Sequence, residues 1–525
     1  YAFFFFFLIA AHCFLRVGVL SFLCENCFSI NLIHITFSYH FLSNTVKSLT
    51  EITRSFILSP FAYLLLAVVA AGIALVFGVM GMKSGMMVFA VVVGVPLLLA
   101  CLADLKIGVS IILIAGYFLM GLKRVIGGDP PLGILLDLMM FLLFVGLLIK
   151  QLFNRDWSFL NHIVTFTVLV WILFNFIELF NPVAASRMAW FYTVRGMAGL
   201  TILFIIALYV FDSLQFIKTV VKLFIGLAML ACFYGIWQEY VGFTQAELNW
   251  IYEDPKRFEL IFQWGRFRIF SFLSDPTAYG ILMAYMGVFC LVLATGPYTM
   301  RQKIILAIFG ALMMLPVGYA GTRTAYVLIP AGFMFYVMLN PSRNVMISVV
   351  FFMLIGTVMM MKSTSNPIIY RIQSAFTPQE DASMQLRLDN QKFIQPFIQS
   401  HPLGGGLGST GVWGQRFSPN TLLANFPPDS GYVRTAVEQG WLGLLLQCTM
   451  LCIAMVVSVR YYIRVNDPVI KNLYQALLVL MFLLVLANYP QEAIILLPNS
   501  IIFYLTLAML VRLKDFDTTP LAIEQ

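Results

Sequence analysis

The residues best suited to chemistry stand where a long polar stretch meets an apolar run. Asp429 lies just before the run, Glu438 falls inside it, and Gly440 and Gly443 follow. The Asp429 carboxylate could orient a hydroxyl group and accept its proton, or it could simply cap the N-terminus of a helix. The spacing of Arg434 and Glu438 also allows an ordinary ion pair between neighbouring helical turns. Both interpretations remain open at this stage.

A glycine-rich segment, His401-Pro-Leu-Gly-Gly-Gly-Leu-Gly408, precedes this junction by about twenty residues. The pattern from Ser383 to Ser400 predicts an amphipathic helix that carries Arg387 and ends at His401. Glycines here permit backbone conformations that other residues resist. The segment does not continue into Gly-Lys-Ser/Thr, so it is not a nucleotide-binding P-loop. His401 could act as a base, or it could only close the helix.

Several arginines form a third group of candidates. Arg323 lies in Gly321-Thr-Arg-Thr, between two apolar runs, where it is either a snorkelling residue or a functional one. The neighbouring polar segments carry Arg187, Arg195, Arg266 and Arg268. Because a guanidinium group matches phosphate oxygens in a two-pronged geometry, several of them together would suit a diphosphate. Taken singly, each also fits ordinary lipid-headgroup contact.

The elements that position these residues must lie in a membrane. Of the 525 residues, 61% are hydrophobic and 11% are charged, and the mean hydropathy is +0.91. The apolar runs are continuous rather than alternating, so the sequence predicts an all-α polytopic membrane protein with about 12–14 transmembrane helices. Candidate spans from residue 55 onwards lie near 61–80, 86–103, 106–122, 132–150, 159–180, 197–211, 217–240, 276–296, 302–320, 322–340, 344–361, 431–459, 470–488 and 493–511.

The spans predict a simple division of the chain. We expect an N-terminal transmembrane bundle at 55–361, a large extracytoplasmic loop at 362–430, C-terminal transmembrane helices at 431–513 and a cytoplasmic tail at 514–525. Residues 1–54 read differently, as a hydrophobic or signal segment or as upstream sequence translated from a wrong start. No function is assigned to them.

Charged residues in short connections predict the orientation. Lys150, Arg301, Arg460 and Lys514 fall on one side by helix parity, which the positive-inside rule identifies as cytoplasmic. The segments 181–196, 241–275 and 362–430 then lie together on the extracytoplasmic side. The arginines in those segments run against the rule, which indicates another reason for their presence.

Composition also excludes some functions. The net charge of +8 is spread along the chain without a dense basic run, so nucleic acid is not an expected partner. Five of the eight cysteines lie inside apolar segments, and none of these five forms a Cys-x-x-Cys pair. The sequence therefore predicts no disulfide framework, no metal site and no cofactor.

In order and spacing, these motifs resemble the O-antigen ligase and O-antigen polymerase superfamily over about residues 180–500. That family has a Ser/Gly-x-Arg motif, matched here at Arg323, before a large extracytoplasmic loop. The loop carries an arginine, matched by Arg387, and a His-Pro-Leu/Phe-x-Gly-x-Gly stretch that begins here at His401. The following helix carries a glutamate, matched by Glu438, and then Gly-x-x-Gly. The resemblance implies a fold related to the lipid-dependent glycosyltransferases of the GT-C class.

The resemblance also implies an activity, a location and partners. The chain would sit in the bacterial inner membrane and transfer a glycan from an undecaprenyl diphosphate carrier to a sugar hydroxyl, without a metal. Arg323 would bind the diphosphate with Arg187 and Arg195, while Arg266, Arg268, Arg387 and Glu438 would contribute to substrate binding. Asp429 would activate the acceptor, with His401 as the second choice.

One departure from the family pattern bears on the reaction. Family ligases usually carry His-Asn where this chain has Asp429-Ser430. Aspartate is a weaker base than histidine, so this difference favours a polymerase or another branch over a lipid A-core ligase. The alternatives from other classes are a transporter of a glycan or small molecule and a purely structural membrane component. Against a transporter, the sequence shows no internal repeat and its charges lie at the edges of the spans.

Overall fold

A computed structural model describes residues 104–126, 132–263, 265–343 and 382–517, together with the isolated positions 101, 346, 347 and 373. These residues belong to one compact unit, 93–525. Apart from those isolated positions, the described residues do not include the expected N-terminal segment 1–54, the candidate spans 61–80, 86–103 and 344–361, or the first part of the polar loop.

The described residues are almost entirely helical. The helices are α1 (Leu105–Ile126), α2 (Leu132–Asn154), α3 (Ile163–Ile177), α4 (Arg187–Val210), α5 (Leu214–Tyr240), α6 (Gln245–Tyr252), α7 (Pro255–Ile261), α8 (Pro276–Ala294), α9 (Met300–Ala320), α10 (Arg323–Leu339), α11 (Ala382–Ser400), α12 (Gly411–Phe417), α13 (Gly431–Arg464), α14 (Pro468–Ala487) and α15 (Asn499–Arg512). The strands β1 (Phe262–Gln263) and β2 (Arg266–Phe267) form one antiparallel hairpin.

Length and hydropathy confirm the predicted fold class. Within the described ranges, nine helices are long and apolar enough to cross a membrane, and α10 is a shorter apolar helix. A transmembrane helix needs about 20 mainly apolar residues, which these segments supply. The chain is therefore an all-α polytopic membrane protein.

Helices α8 and α15 form the centre of the bundle. Nearly every residue of α8 is buried, and α8 packs against α9, α10 and α14. Helix α15 packs against α4 and α14. A helix surrounded by other helices inside a membrane meets no water, so these two sequences need no charged face.

Contacts between helix ends divide them into two sets. At one end, which we call the loop face, Asn181 contacts the segment after α11, and Arg434 at the start of α13 contacts Glu492. At the opposite end, Lys106 pairs with Asp212 and Lys514 donates to Tyr461. The segments 181–186, 241–275, 382–430 and 488–498 all belong to the loop face.

Two predicted boundaries are wrong. The segment expected to be a polar loop at 181–196 is helical from Arg187 onwards, because Ser186 caps α4 by accepting from the backbone amide of Ala189. The candidate span at 493–511 is shorter than expected. Helix α15 begins only at Asn499, and residues 488–498 form an irregular connection that reaches into the loop face.

Candidate functional site

Asp429 lies at the entrance of α13 with its side chain exposed to solvent. The cap of this helix is the next residue, Ser430, whose hydroxyl accepts from the amide of Val433. Asp429 is therefore not the capping residue, and that interpretation of it is wrong. Its Oδ2 lies 3.8 Å from Nε of Arg387, which helix α11 holds in place. The predicted α11 is confirmed, and it brings two candidate residues together.

Glu438 is the buried centre of the site, with 1% of its surface exposed. Its carboxylate accepts from the backbone amide of Gly408 at 3.0 Å and from the amide and hydroxyl of Thr410. Nε of Arg434 donates to it at 3.1 Å, so the ion pair expected from the spacing is confirmed. A buried carboxylate needs several hydrogen-bond donors to replace the water it has lost. Because Gly408 and Thr410 supply three of these donors, Glu438 fixes the position of their loop.

The segment His401–Gly408, here called the glycine loop, also repairs a break in α13. Gly440 has φ 68° and ψ −177°, a conformation that only glycine adopts readily, and the helix is interrupted there. The carbonyls of Val437 and Glu438 instead accept from the amides of Gly405 and Gly406, both at 2.9 Å. The amides of the glycine loop thus provide hydrogen bonds to the carbonyls that the break in α13 leaves without helical partners.

The other side of the glycine loop rests on the segment between α3 and α4. Nδ2 of Asn181 donates to the carbonyl of Leu403 at 2.8 Å and to Oε2 of Glu178 at 2.8 Å. Gly408 packs so closely on Ala189 that a Cβ atom there would clash with the α4 backbone. The loop is therefore hydrogen-bonded to α13 and to Asn181 before α4, and it packs directly on α4.

Arg434 connects this centre to the connection before α15. Its Nη1 lies 2.8 Å from Oε2 of Glu492, so one arginine lies between two carboxylates. Burial raises the pKa of Glu492, and the Arg434 guanidinium opposes that shift. Since Glu438 already pairs with Arg434, ionisation of Glu492 places a second negative charge beside a single arginine.

His401 closes α11, as the simpler of its two interpretations predicts. Its ring stacks on Phe397 with centroids 4.1 Å apart, and its Nδ1 lies 3.0 Å from the Phe397 carbonyl. Nδ1 also lies 2.9 Å from the hydroxyl of Ser400, so a partner is present for Nδ1 in either tautomer of the ring.

The Arg323 motif is built around a buried neighbour. Arg268 donates to the carbonyl of Ala320 at 2.8 Å and to Oγ1 of Thr322 at 3.2 Å. Gly321 ends α9 in the left-handed conformation, and Arg323 is the first residue of α10. Arg268 therefore fixes the turn that presents Arg323 at the loop face.

The other arginines have separate surroundings. Nε of Arg195 lies 2.8 Å from Oδ2 of Asp137, and Arg266 pairs with Glu239. Arg187 is exposed in the first turn of α4. Together with the Arg387–Asp429 contact, three of the candidate arginines have carboxylate partners.

Sequence reasoning missed Glu178, Asn181, Thr410 and Glu492. A signal for Glu178 and Glu492 was present, because each is a lone carboxylate at the loop-face end of an apolar segment. Asn181 and Thr410 act on residues 222 and 28 positions away, so no local pattern identifies them. Within the described ranges, no group of three or more His, Cys, Asp or Glu residues could hold a metal ion.

These features define a polytopic helical membrane protein whose polar centre is a loop fixed at one face by a buried glutamate. Residues 305–448 match the family model described as O-Antigen ligase, which covers Arg323, the glycine loop, Asp429 and Glu438. The match confirms the O-antigen ligase and polymerase superfamily that the sequence resembles. A search of curated proteins found no significant match. The family supports glycosyl transfer of the ligase or polymerase type in polysaccharide assembly, with lipid-linked glycan substrates.

Proposed function

We propose that this protein transfers a glycan from an undecaprenyl diphosphate carrier to a sugar hydroxyl on a second lipid-linked glycan, and so elongates a cell-surface polysaccharide. The observation that carries the proposal is the exposed carboxylate of Asp429 beside Arg387, at the edge of the loop that Glu438 holds rigid. A rigid support is what a transfer reaction needs, since positioning of the two substrates supplies much of the rate.

The reaction requires few groups from the protein. The acceptor hydroxyl attacks the anomeric carbon, the bond from that carbon to the diphosphate oxygen breaks, and the diphosphate leaves on its carrier. The hydroxyl proton passes to Asp429. Arg323 and Arg187 stabilise the charge on the leaving diphosphate, and Arg195, next to Asp137, assists from α4.

An aspartate base fits a late proton transfer. The carboxylate orients the hydroxyl, and it takes the proton once the new bond makes that oxygen acidic. His401 is the second candidate for this step, through its Nε2. The presence of Asp429 where family ligases carry histidine favours polymerisation over ligation to a lipid A core.

The proposed location follows from the charge distribution. Lys106, Lys150, Arg301, Arg460 and Lys514 lie at the end opposite the loop face, which the positive-inside rule identifies as cytoplasmic. The loop face would then lie on the extracytoplasmic side of the bacterial inner membrane. We propose that the lipid-linked donor and the lipid-linked acceptor meet there.

A reconstitution experiment tests the function. The purified full chain is incubated with lipid-linked glycan in EDTA and without nucleotide sugar, and product length is read by gel and mass spectrometry. We expect covalent products of two or more glycan units. A requirement for nucleotide sugar, or activity that disappears in EDTA and returns with a divalent metal, would contradict the proposed chemistry. Glycan crossing the membrane at unchanged length would instead favour a transporter.

A further inference from the structure

A cluster of aromatic rings lies beside the glycine loop and has no role in the proposed transfer step. Trp413 and Phe417 are one helical turn apart on α12, with ring centroids 6.1 Å apart and planes 18° from parallel. Tyr192 of α4 stacks on both, with centroid distances of 4.6 and 5.3 Å. All three rings remain half-buried rather than enclosed.

Cationic side chains lie over these rings. The Arg416 guanidinium is exposed and lies 5.5 Å from the Phe417 centroid and 5.9 Å from the Tyr192 centroid. The Arg195 guanidinium lies 5.5 Å from the Tyr192 centroid, and its carboxylate partner is Asp137. The rings therefore have hydrogen-bond donors next to them, which a simple apolar contact between two helices does not have.

This arrangement matches the chemistry of a sugar ring. The C–H groups on one face of a pyranose are slightly positive and pack against the negative face of an aromatic ring. The hydroxyl groups at its edge need donors and acceptors, which a guanidinium and a carboxylate provide. An acyl chain would use the aromatic surface but not the charged border.

The position of the cluster ties it to the transfer site. Gly408 packs on Ala189 and Thr193, which flank Tyr192 on α4, and the backbone of Gly414 packs on that of Ser409. The residues that Glu438 fixes, Gly408 and Thr410, therefore lead directly into α12. A glycan on these rings would lie next to the glycine loop.

We propose that Tyr192, Trp413, Phe417 and Arg416 form a glycan-binding platform that holds sugar rings of the substrate beside the transfer site. The proposal deepens the proposed function and rests on it for the identity of the ligand. It assigns substrate affinity to α12, a part of the loop that takes no part in bond making.

Binding of a lipid-free glycan tests the platform separately from the reaction. The probe is an oligosaccharide of one or two repeat units, released by mild acid from the polysaccharide of the producing cell. Saturation-transfer NMR on the detergent-purified full chain should show transfer to the ring C–H protons of the probe. We expect Trp413→Ala to weaken binding by about tenfold and Arg416→Ala by about threefold.

Two controls keep the result interpretable. Val412 is 73% exposed on the same helix and lies outside the ring stack, so Val412→Ala should bind like the wild type. Arg416 is exposed, so its removal reports on binding even if Trp413→Ala disturbs α12. The platform is refuted if the wild type does not bind the probe, or if Trp413→Ala and Arg416→Ala both bind it as tightly as the wild type.

Failure of the platform and failure of the proposed reaction give different results. Asp429→Asn should bind the lipid-free probe normally while transfer is lost. Normal transfer in Asp429→Asn with weak probe binding in Trp413→Ala would overturn the reaction and keep the platform. Loss of transfer in Asp429→Asn, together with normal probe binding in both Trp413→Ala and Arg416→Ala, would overturn the platform and keep the reaction.

Discussion

At the scale of single residues, Glu438 determines how the site is held together. Its separation from Arg434 allowed the ion pair to be predicted from the sequence, because four positions bring side chains together on any helix. Its contacts with Gly408 and Thr410 cross 30 and 28 positions and depend on how the loop folds back. Local spacing therefore predicted one of its partners and none of the loop contacts that give it its role.

Glu438→Gln should disable the protein even though it preserves the shape of the side chain. It replaces an acceptor oxygen by an amide NH2 group, so at least one of the donors from Gly408, Thr410 and Arg434 is left buried without its partner, at a cost of about 1–3 kcal/mol. We expect loss of transfer activity and a much shorter half-life in detergent, measured by product gels and size-exclusion chromatography. Trp441→Phe, at a 45% exposed position on the same helix, is the control and should behave like the wild type. Full activity in Glu438→Gln would show that the loop does not depend on this carboxylate.

At the scale of elements, hydropathy predicted which segments are helices, but it placed some of their ends wrongly. Ser186 starts α4 about ten residues before the apolar run becomes obvious, so Arg187 and Arg195 are helical residues rather than loop residues. The break at Gly440 was equally hidden, because a glycine inside an apolar run signals a kink only when another segment takes up the freed backbone groups. Here that segment is the glycine loop.

Gly440→Ala should separate the loop from α13. Its positive φ costs a non-glycine residue about 1–3 kcal/mol, and a Cβ atom would also clash with the Pro402 carbonyl. We expect faster proteolysis of the loop and loss of activity. Gly265 also has a positive φ, 74°, but a Cβ there meets open space. Gly265→Ala therefore introduces backbone strain without a clash and should retain activity. Equal activity and equal proteolysis rates in Gly440→Ala and Gly265→Ala would contradict the role of the kink.

The start of α3 should make stability dependent on pH. His162 caps α3 and its Nε2 lies 2.7 Å from the Tyr461 hydroxyl. Burial, with a smaller effect of Lys514, lowers the pKa of His162 from its ordinary 6.5 to about 4. Because the unfolded chain takes up this proton more readily, the stability is full above pH 6.5 and is lost as the pH falls toward 4.

For His162, solvent screening limits the expected loss to about 1 kcal/mol between pH 7.5 and 5. Thermal unfolding in detergent measures it. His162→Asn keeps a capping side chain without a titrating group and should lose less stability over the same interval. An equal fall in both proteins would assign the pH dependence to other groups.

At the scale of the whole molecule, the membrane bundle was predictable because lipid permits few alternatives to continuous apolar helices. The arrangement of the arginines was not. Their convergence on a diphosphate stays a prediction. The sequence identified neither the carboxylate neighbours of Arg195 and Arg266 nor the support that Arg268 gives to the Gly321 turn. Such pairings depend on which helices are adjacent, and no local pattern in the chain encodes that.

The distribution of polysaccharide chain lengths in cells tests the central claim most directly. Cells whose own copy is deleted are supplied with the wild type, Arg323→Ala, Asp429→Asn or the control Val412→Ala, and the polysaccharide is separated on gels. Membrane levels of each variant are measured in parallel. We predict a normal ladder for the wild type and Val412→Ala, and a single unextended unit for Arg323→Ala and Asp429→Asn at normal protein levels. A normal ladder from both Arg323→Ala and Asp429→Asn would contradict the account.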